Sequence, residues 1–226
     1  MSWLSKSSIG RKFVQSVSGL FLVLFLLFHM SMNIALVFSY DAYDFIANEM
    51  LGANWWAIIG TALIVLAFAV HIWYAIVLTL QNKKARGSDM YASANKTQTS
   101  WSSKNMFVLG LVIFLFLVLH FIQFWYQMQF KEFLGMEGAR EDAAYLVEEV
   151  FKNPIYVIIY LIAFAALWFH LTHGFWSALQ TLGWNNNNWM KRIKTISNVV
   201  ATIICLGYAF VAIMLFLGHG NMLNAY

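Results

Sequence analysis

Five stretches of this chain run past 20 residues without an Asp, Glu, Lys or Arg, and that pattern decides the fold class before any motif is read. They are 13–38, 55–80, 106–130, 154–180 and 196–218. A hydrocarbon core of about 30 Å needs roughly 20 apolar residues in a helix to cross it, and a backbone in lipid must satisfy its own hydrogen bonds. The expectation is an all-α integral membrane bundle of five transmembrane helices, one domain over residues 1–226. With 61% hydrophobic and 11% charged residues, against about 25% charged in soluble domains, the composition excludes an ordinary soluble fold. The first run is longer than a signal-peptide core and lacks a small-residue cleavage pattern, so it reads as a span.

The charges sort by segment. Of 14 Lys and Arg, three precede the first run, five lie between the second and third and three between the fourth and fifth, which puts 11 on one side. Nine of the ten carboxylates fall on the other, with Asp89 the exception. The positive-inside rule then places the N-terminus in the cytoplasm and, for five spans, the C-terminus outside. The same sorting accounts for the net charge of +4 and removes a nucleic-acid reading. Cys205 is the single cysteine, so neither a disulfide nor a cysteine metal cluster can be built.

Between the spans, residues 81–105 are polar without apolar periodicity and read as a surface loop or docking face. In the outer loop 132–153, Ala143, Leu146, Val147, Val150 and Phe151 alternate with Glu141, Asp142, Glu148 and Glu149 at the spacing of a short amphipathic helix. The loop 41–54 has a similar look around Phe45, Ile46, Met50 and Leu51, and both segments are expected to cover the outer end of the bundle. Pro154 suits the first turn of the fourth span. Trp3, Trp55, Trp56, Trp101, Trp184 and Trp189 fall near span ends, as an interfacial belt requires.

Six histidines occur, and four sit inside four different spans: His29, His71, His120 and His170. Ionisable groups in spans face the bundle interior and mark function by default. His29 is 17 residues past Lys12 and His120 is 16 past Lys104. At 1.5 Å per residue both lie about 24–26 Å from the basic end. His71, 12 residues before Lys83, and His170, 13 before Gly183, lie about 18–20 Å from it. The four form two level-matched pairs. Two neutral imidazoles facing each other are what a six-coordinate haem iron takes from a protein, whereas zinc wants three or four ligands at one depth. The 11 methionines leave a Met ligand open on pattern alone.

His173, three residues after His170, is an alternative ligand, or a contact for a haem propionate or a quinone. Gly174, four residues after His170, favours His170 by leaving room for a porphyrin edge. His219 closes the last span at the surface without a depth-matched partner. Ser16, Ser18 and Gly19 permit either close helix approach or a flat macrocycle. No carboxylate lies in any span, so proton chemistry belongs at the surfaces, where Asp44 and Glu49 stand as candidate acceptors beside the outer pair.

These residues carry a resemblance. Five spans with histidines in the first four, SSIGRKFVQSVSGLFLVLFLLFHMSMN near the start and FHLTHGFWSALQTLGW at 169–184 resemble the diheme cytochrome b membrane-anchor subunit of succinate:quinone oxidoreductases, the respiratory complex II and fumarate reductase group. The likeness covers essentially the whole chain and is greatest to single-chain anchors of the Bacteroidetes type. It implies one haem b between His71 and His170 and another between His29 and His120. It also implies a flavoprotein subunit with FAD and an iron–sulfur subunit docked on the basic cytoplasmic face, menaquinone as lipid-soluble substrate, and residence in a bacterial cytoplasmic membrane, with room for a higher oligomer. The dicarboxylate chemistry would sit on the partner and the quinone chemistry here. Some family members carry a glutamate two residues before the fourth-span ligand; this chain has Trp168, so a proton path through that position lacks its carboxylate. Three other readings compete: a diheme cytochrome b of a hydrogenase or formate dehydrogenase; a transporter using histidines as ion sites, for which broken helices with mid-span Gly or Pro would be the sign; and a purely structural anchor, which leaves the depth matching as coincidence.

Overall fold

The computed structural model describes residues 7–52, 54, 55–86, 100–138 and 142–223, and among these there is no strand. The elements are α1 (Ser8–Phe38), α2 (Tyr40–Asp44) running into a π-helical segment (Phe45–Met50), α3 (Trp55–Arg86), α4 (Trp101–Lys104), α5 (Met106–His120), α6 (Ala143–Phe151), α7 (Pro154–Thr181) and α8 (Asn187–Phe216). A π-helical segment, Phe121–Phe130, and a last α-turn, Lys131–Phe133, extend α5. Five helices, α1, α3, the extended α5, α7 and α8, are long and apolar enough to cross a membrane, as a multi-pass membrane protein requires.

The helices are longer than the uncharged runs. α1 starts at Ser8 and includes Arg11 and Lys12, α3 continues through Lys83 and Lys84 to Arg86, and α8 starts at Asn187 ahead of Lys191, Arg192 and Lys194. The reason is that hydropathy marks where lipid ends, whereas the helix goes on to its cap. Ser7 accepts from the Gly10 amide at 2.9 Å, and Asn186 from the Trp189 amide at 2.9 Å. Asn153 caps α7 through the Ile155 amide, with Pro154 in its first turn. Gly183 and Gly218, both at positive φ, end α7 and α8; the amides of Trp184 and His219 reach back to Leu179 and Met214.

Three helices form the packed core. α8 lies against both α1 and α7, and α1 against α7. α3 leans on α1 from one side and α5 on α7 from the other. The most apolar window of α3 buries none of its residues and that of α5 only 11%, while those of α1, α7 and α8 bury 28, 33 and 39%. Leu24, Leu66, Leu115, Ile162 and Leu206 therefore point outward, more than half exposed, as a lipid-facing surface would have them. Close approach in the core depends on Gly207, whose missing Cβ admits the Met30 side chain of α1 into α8.

The acidic end is closed by short elements. α6 buries Ala143, Ala144, Leu146, Val147 and Phe151. In the loop after α1 the buried groups are Tyr40 and Tyr43, while Phe45, Met50 and Leu51 are exposed. That corrects the expectation of an apolar cover from the latter three, because the turn at Ser39 rotates the following helix and the π-helical segment changes its phase. After α8 the chain returns over α1. The amides of Met222 and Leu223 donate to the carbonyls of Val37 (3.0 Å) and Phe38 (2.8 Å), and the Tyr40 amide donates to Asn221 Oδ1 (2.9 Å). These bonds occupy carbonyls that a helix C-terminus leaves open. Most of the polar loop expected as a docking face, 87–99, lies outside the described residues, as does Trp3.

Candidate functional site: two facing histidine pairs

The structure brings the four span histidines together two by two. His29 of α1 faces His120 of α5 with ring centroids 5.8 Å apart and planes at 84°. His71 of α3 faces His170 of α7 at 6.4 Å and 63°. The helices joined in each pair, α1 with α5 and α3 with α7, are not among those packed closely on one another, so each pair spans the bundle diagonally. Among the described residues no three His, Cys, Asp or Glu side chains converge, which leaves two imidazoles per level.

The levels are further apart than counting from charged markers gives. His71 Cε1 would lie 3.1 Å from a Cβ on Gly19, and His170 Cε1 3.6 Å from one on Gly110. On α1, Gly19 precedes His29 by ten residues, and on α5 Gly110 precedes His120 by ten. Ten residues of helix, less the lean of side chains toward their N-terminus, separate the pairs by about 10–15 Å, against the roughly 6 Å expected. The markers misled because basic side chains reach water from a turn or more inside a helix.

Each pair has its own surroundings. In the pair nearer the basic end, Ser18 Oγ donates to the Val14 carbonyl at 2.9 Å, so its oxygen accepts from His71 Nδ1 at 3.4 Å. The Gln15 amide stands 3.3 Å from His71 Nε2. Nδ1 of His170 is buried without a hydrogen-bond partner. The other pair sits in aromatic rings. Phe25 stacks on His29 at 5.4 Å, and Phe116, Phe124 and Tyr160 surround His120 at 5.8, 5.2 and 6.3 Å. Tyr208 of α8 lies 6.0 Å from His29 and donates its hydroxyl to the Leu26 carbonyl at 3.0 Å. The Tyr160 hydroxyl donates to Gln123 Oε1 at 2.8 Å and faces His120 Nδ1 at 3.4 Å.

Two imidazoles facing each other at these separations are a donor set that a haem iron would accept. A metal held on opposite sides by two imidazoles through bonds of about 2 Å sets the ring centroids about 6 Å apart, the separation both pairs show. In each pair one imidazole has Nδ1 engaged by an oxygen, which leaves Nε2 as the deprotonated nitrogen that ligation needs. The absent side chain of Gly19 makes room for the edge of the His71 ring, 3.1 Å from where its Cβ would be, and His170 passes Gly110 at ordinary contact distance. One group stands in the way: the Gln15 amide occupies the Nε2 lone pair of His71, so ligation there requires Gln15 to turn aside.

The remaining sequence candidates are placed as follows. His173 packs on Trp176 at 5.0 Å, with Nδ1 buried and unpartnered. Gly174 makes room for the Met106 methyl, 3.1 Å from where its Cβ would be, so that glycine accommodates a side chain of α5. Asp44 accepts from the Ala144 amide at 2.8 Å and so holds the start of α6. Burial raises its carboxyl above the ordinary 3.8, nearby Asp142 and Asp41 add to that, and the amides of Ala144 and Ala143 oppose it. Glu49 and His219 are exposed. Trp168 donates its indole N–H to Thr202 Oγ1 of α8 at 2.9 Å. Gln15, Gly110, Gln123, Tyr160 and Tyr208 escaped the sequence reading, which weighed the histidines, the carboxylates and the small residues Ser16, Ser18, Gly19 and Gly174. For the four polar ones the signal was present: an uncharged polar side chain inside a span also turns inward for want of a partner in lipid. No family model, curated protein or solved structure matches this chain.

Proposed function

We propose that this protein is the diheme cytochrome b membrane anchor of a succinate:quinone oxidoreductase, passing electrons between an iron–sulfur partner subunit and menaquinone. The observation that carries the reading is the pair of facing imidazole couples, 5.8 and 6.4 Å between centroids, on two levels of one five-helix bundle. His71 and His170 would hold one haem b, and His29 and His120 the other. Bound there, the haems supply one-electron redox steps whose potentials follow from axial ligands, burial and hydrogen bonding.

The chain's own part is positioning. Ser18 and Tyr160 would set the tautomers of His71 and His120, Gly19 makes room for the edge of the His71 ring, and an aromatic shell surrounds the His29–His120 pair. The basic end would face the cytoplasm and receive the iron–sulfur and FAD-bearing flavoprotein subunits, since 11 of 14 basic residues lie there. The His71–His170 pair would then lie nearer the iron–sulfur partner and the His29–His120 pair farther from it. With Asp44 engaged at α6, Glu49 is the freer of the two outer carboxylates for a proton released by a quinol.

A pyridine haemochrome assay and a reduced-minus-oxidised spectrum of the purified membrane protein test this, with each of the four histidines replaced in turn. Two haems b per chain are expected in the parent, and loss of one of the two in each variant. A parent that carries no haem when made with haem available would sink the proposal, and succinate:quinone activity of the assembled complex distinguishes this partner from a hydrogenase or formate dehydrogenase.

A further inference from the structure

Resting on the haem reading, we infer that Tyr160 and Gln123 form a positioning relay that sets the electron-donating strength of His120 alone among the four histidines. The Tyr160 ring is 2% exposed, packed edge-on against Phe116 (4.8 Å) and Phe151 (4.9 Å), so its hydroxyl has little freedom to turn. That hydroxyl has one proton and gives it to Gln123 Oε1 at 2.8 Å. Its oxygen can therefore only accept from His120 Nδ1, which makes Nδ1–H the donor and leaves Nε2 as the basic nitrogen. Gln123 lies in the first π-helical turn after His120, a distortion that recurs at functional sites. Its Nε2 is buried without a partner, so the amide is held by the single bond to Tyr160.

A hydrogen bond accepted from Nδ1–H makes the imidazole a stronger electron donor, which favours the oxidised state of a bound iron. At the other level His71 Nδ1 meets Ser18, whose proton is used on its own helix, His71 Nε2 meets the Gln15 amide, and His170 Nδ1 has no partner. The two haems should therefore respond to different residues.

The test is Tyr160→Phe in the purified, haem-loaded protein, read by redox titration and by the low-spin haem signals in electron paramagnetic resonance. Tyr160→Phe keeps the ring and removes the hydroxyl, which is both the acceptor for His120 Nδ1 and the donor to Gln123. Two haems should remain, one signal should move, and the reduced-to-oxidised ratio of that haem at fixed ambient potential should rise by up to about tenfold, or 59 mV for one electron. Gln123→Met, which leaves Tyr160 in place but frees its proton, should move the same haem in the same direction by less, and serves if Tyr160→Phe does not fold. Ser18→Ala should move the other haem and not this one. With two haems present, unchanged signals and potentials in both Tyr160→Phe and Gln123→Met would overturn the inference while the haem reading stands. A parent without haem overturns both.

Discussion

The two histidine pairs are alike in geometry and unlike in what holds them. The pair nearer the acidic end, His29 with His120, lies in a shell of Phe25, Phe116, Phe124, Tyr160 and Tyr208, with α6 packed behind through Phe151. The pair nearer the basic end, His71 with His170, has small and polar neighbours: Gly19, Gly110, Ser18 and Gln15. An aromatic shell positions by close packing, so it tolerates loss of a hydrogen bond and resists loss of volume. A slot beside Gly19 positions by what is missing, so it tolerates loss of a bond and resists an added side chain there. The same contrast runs through the helices, since α1, α7 and α8 pack densely whereas α3 and α5 lean on them from outside.

Volume lost from the outer shell should have the largest effect. Phe151 is 5% exposed and stacks on Phe124 at 6.5 Å, so Phe151→Ala should cost about 3–5 kcal/mol of stability at that end. If two haems are bound as proposed, thermal denaturation followed by their signals should show the one nearer the acidic end lost first; simultaneous loss would break the distinction between the ends. Gly19→Val is the converse. Its side chain would press on His71, 3.1 Å from the Cβ position, and haem retention at that level should fall by about 10- to 100-fold with the outer haem kept. Equal loss of both would mean that the pairs are not independent.

Smaller changes sharpen the comparison. Tyr208→Phe removes one interhelical bond, to the Leu26 carbonyl, while keeping the ring, and should cost about 0.6 kcal/mol, measured as a shift in unfolding midpoint. The smallest effect concerns Asp44. Its carboxyl is raised in the folded protein, so its contribution is fully present below the ordinary 3.8 and is lost as pH rises through the folded value. Asp44→Asn should therefore remove a shallow fall in the stability of the α6 end above pH 3.8, seen by amide exchange at Ala144; an unchanged pH profile would mean that the aspartate is not coupled to α6.

The sequence by itself determined the number of spans, the basic and acidic ends, the amphipathic α6 and which histidines lie in lipid. Those follow from solvation: a bilayer admits a helix of fixed length, excludes charges from it and makes an internal histidine conspicuous. Tertiary structure decided what depends on rotation and phase. Which imidazole faces which, that Gly174 serves Met106 while Gly19 serves His71, that Tyr40 and Tyr43 rather than Phe45 and Met50 turn inward, and that Gln123 reaches Tyr160 are set by helix azimuth and by the π-helical turns. A one-dimensional count of residues fixes height along a helix to within a turn or so, and it carries no angle. Contact between side chains on different helices is a matter of angle, which only the packing of α1, α7 and α8 supplies.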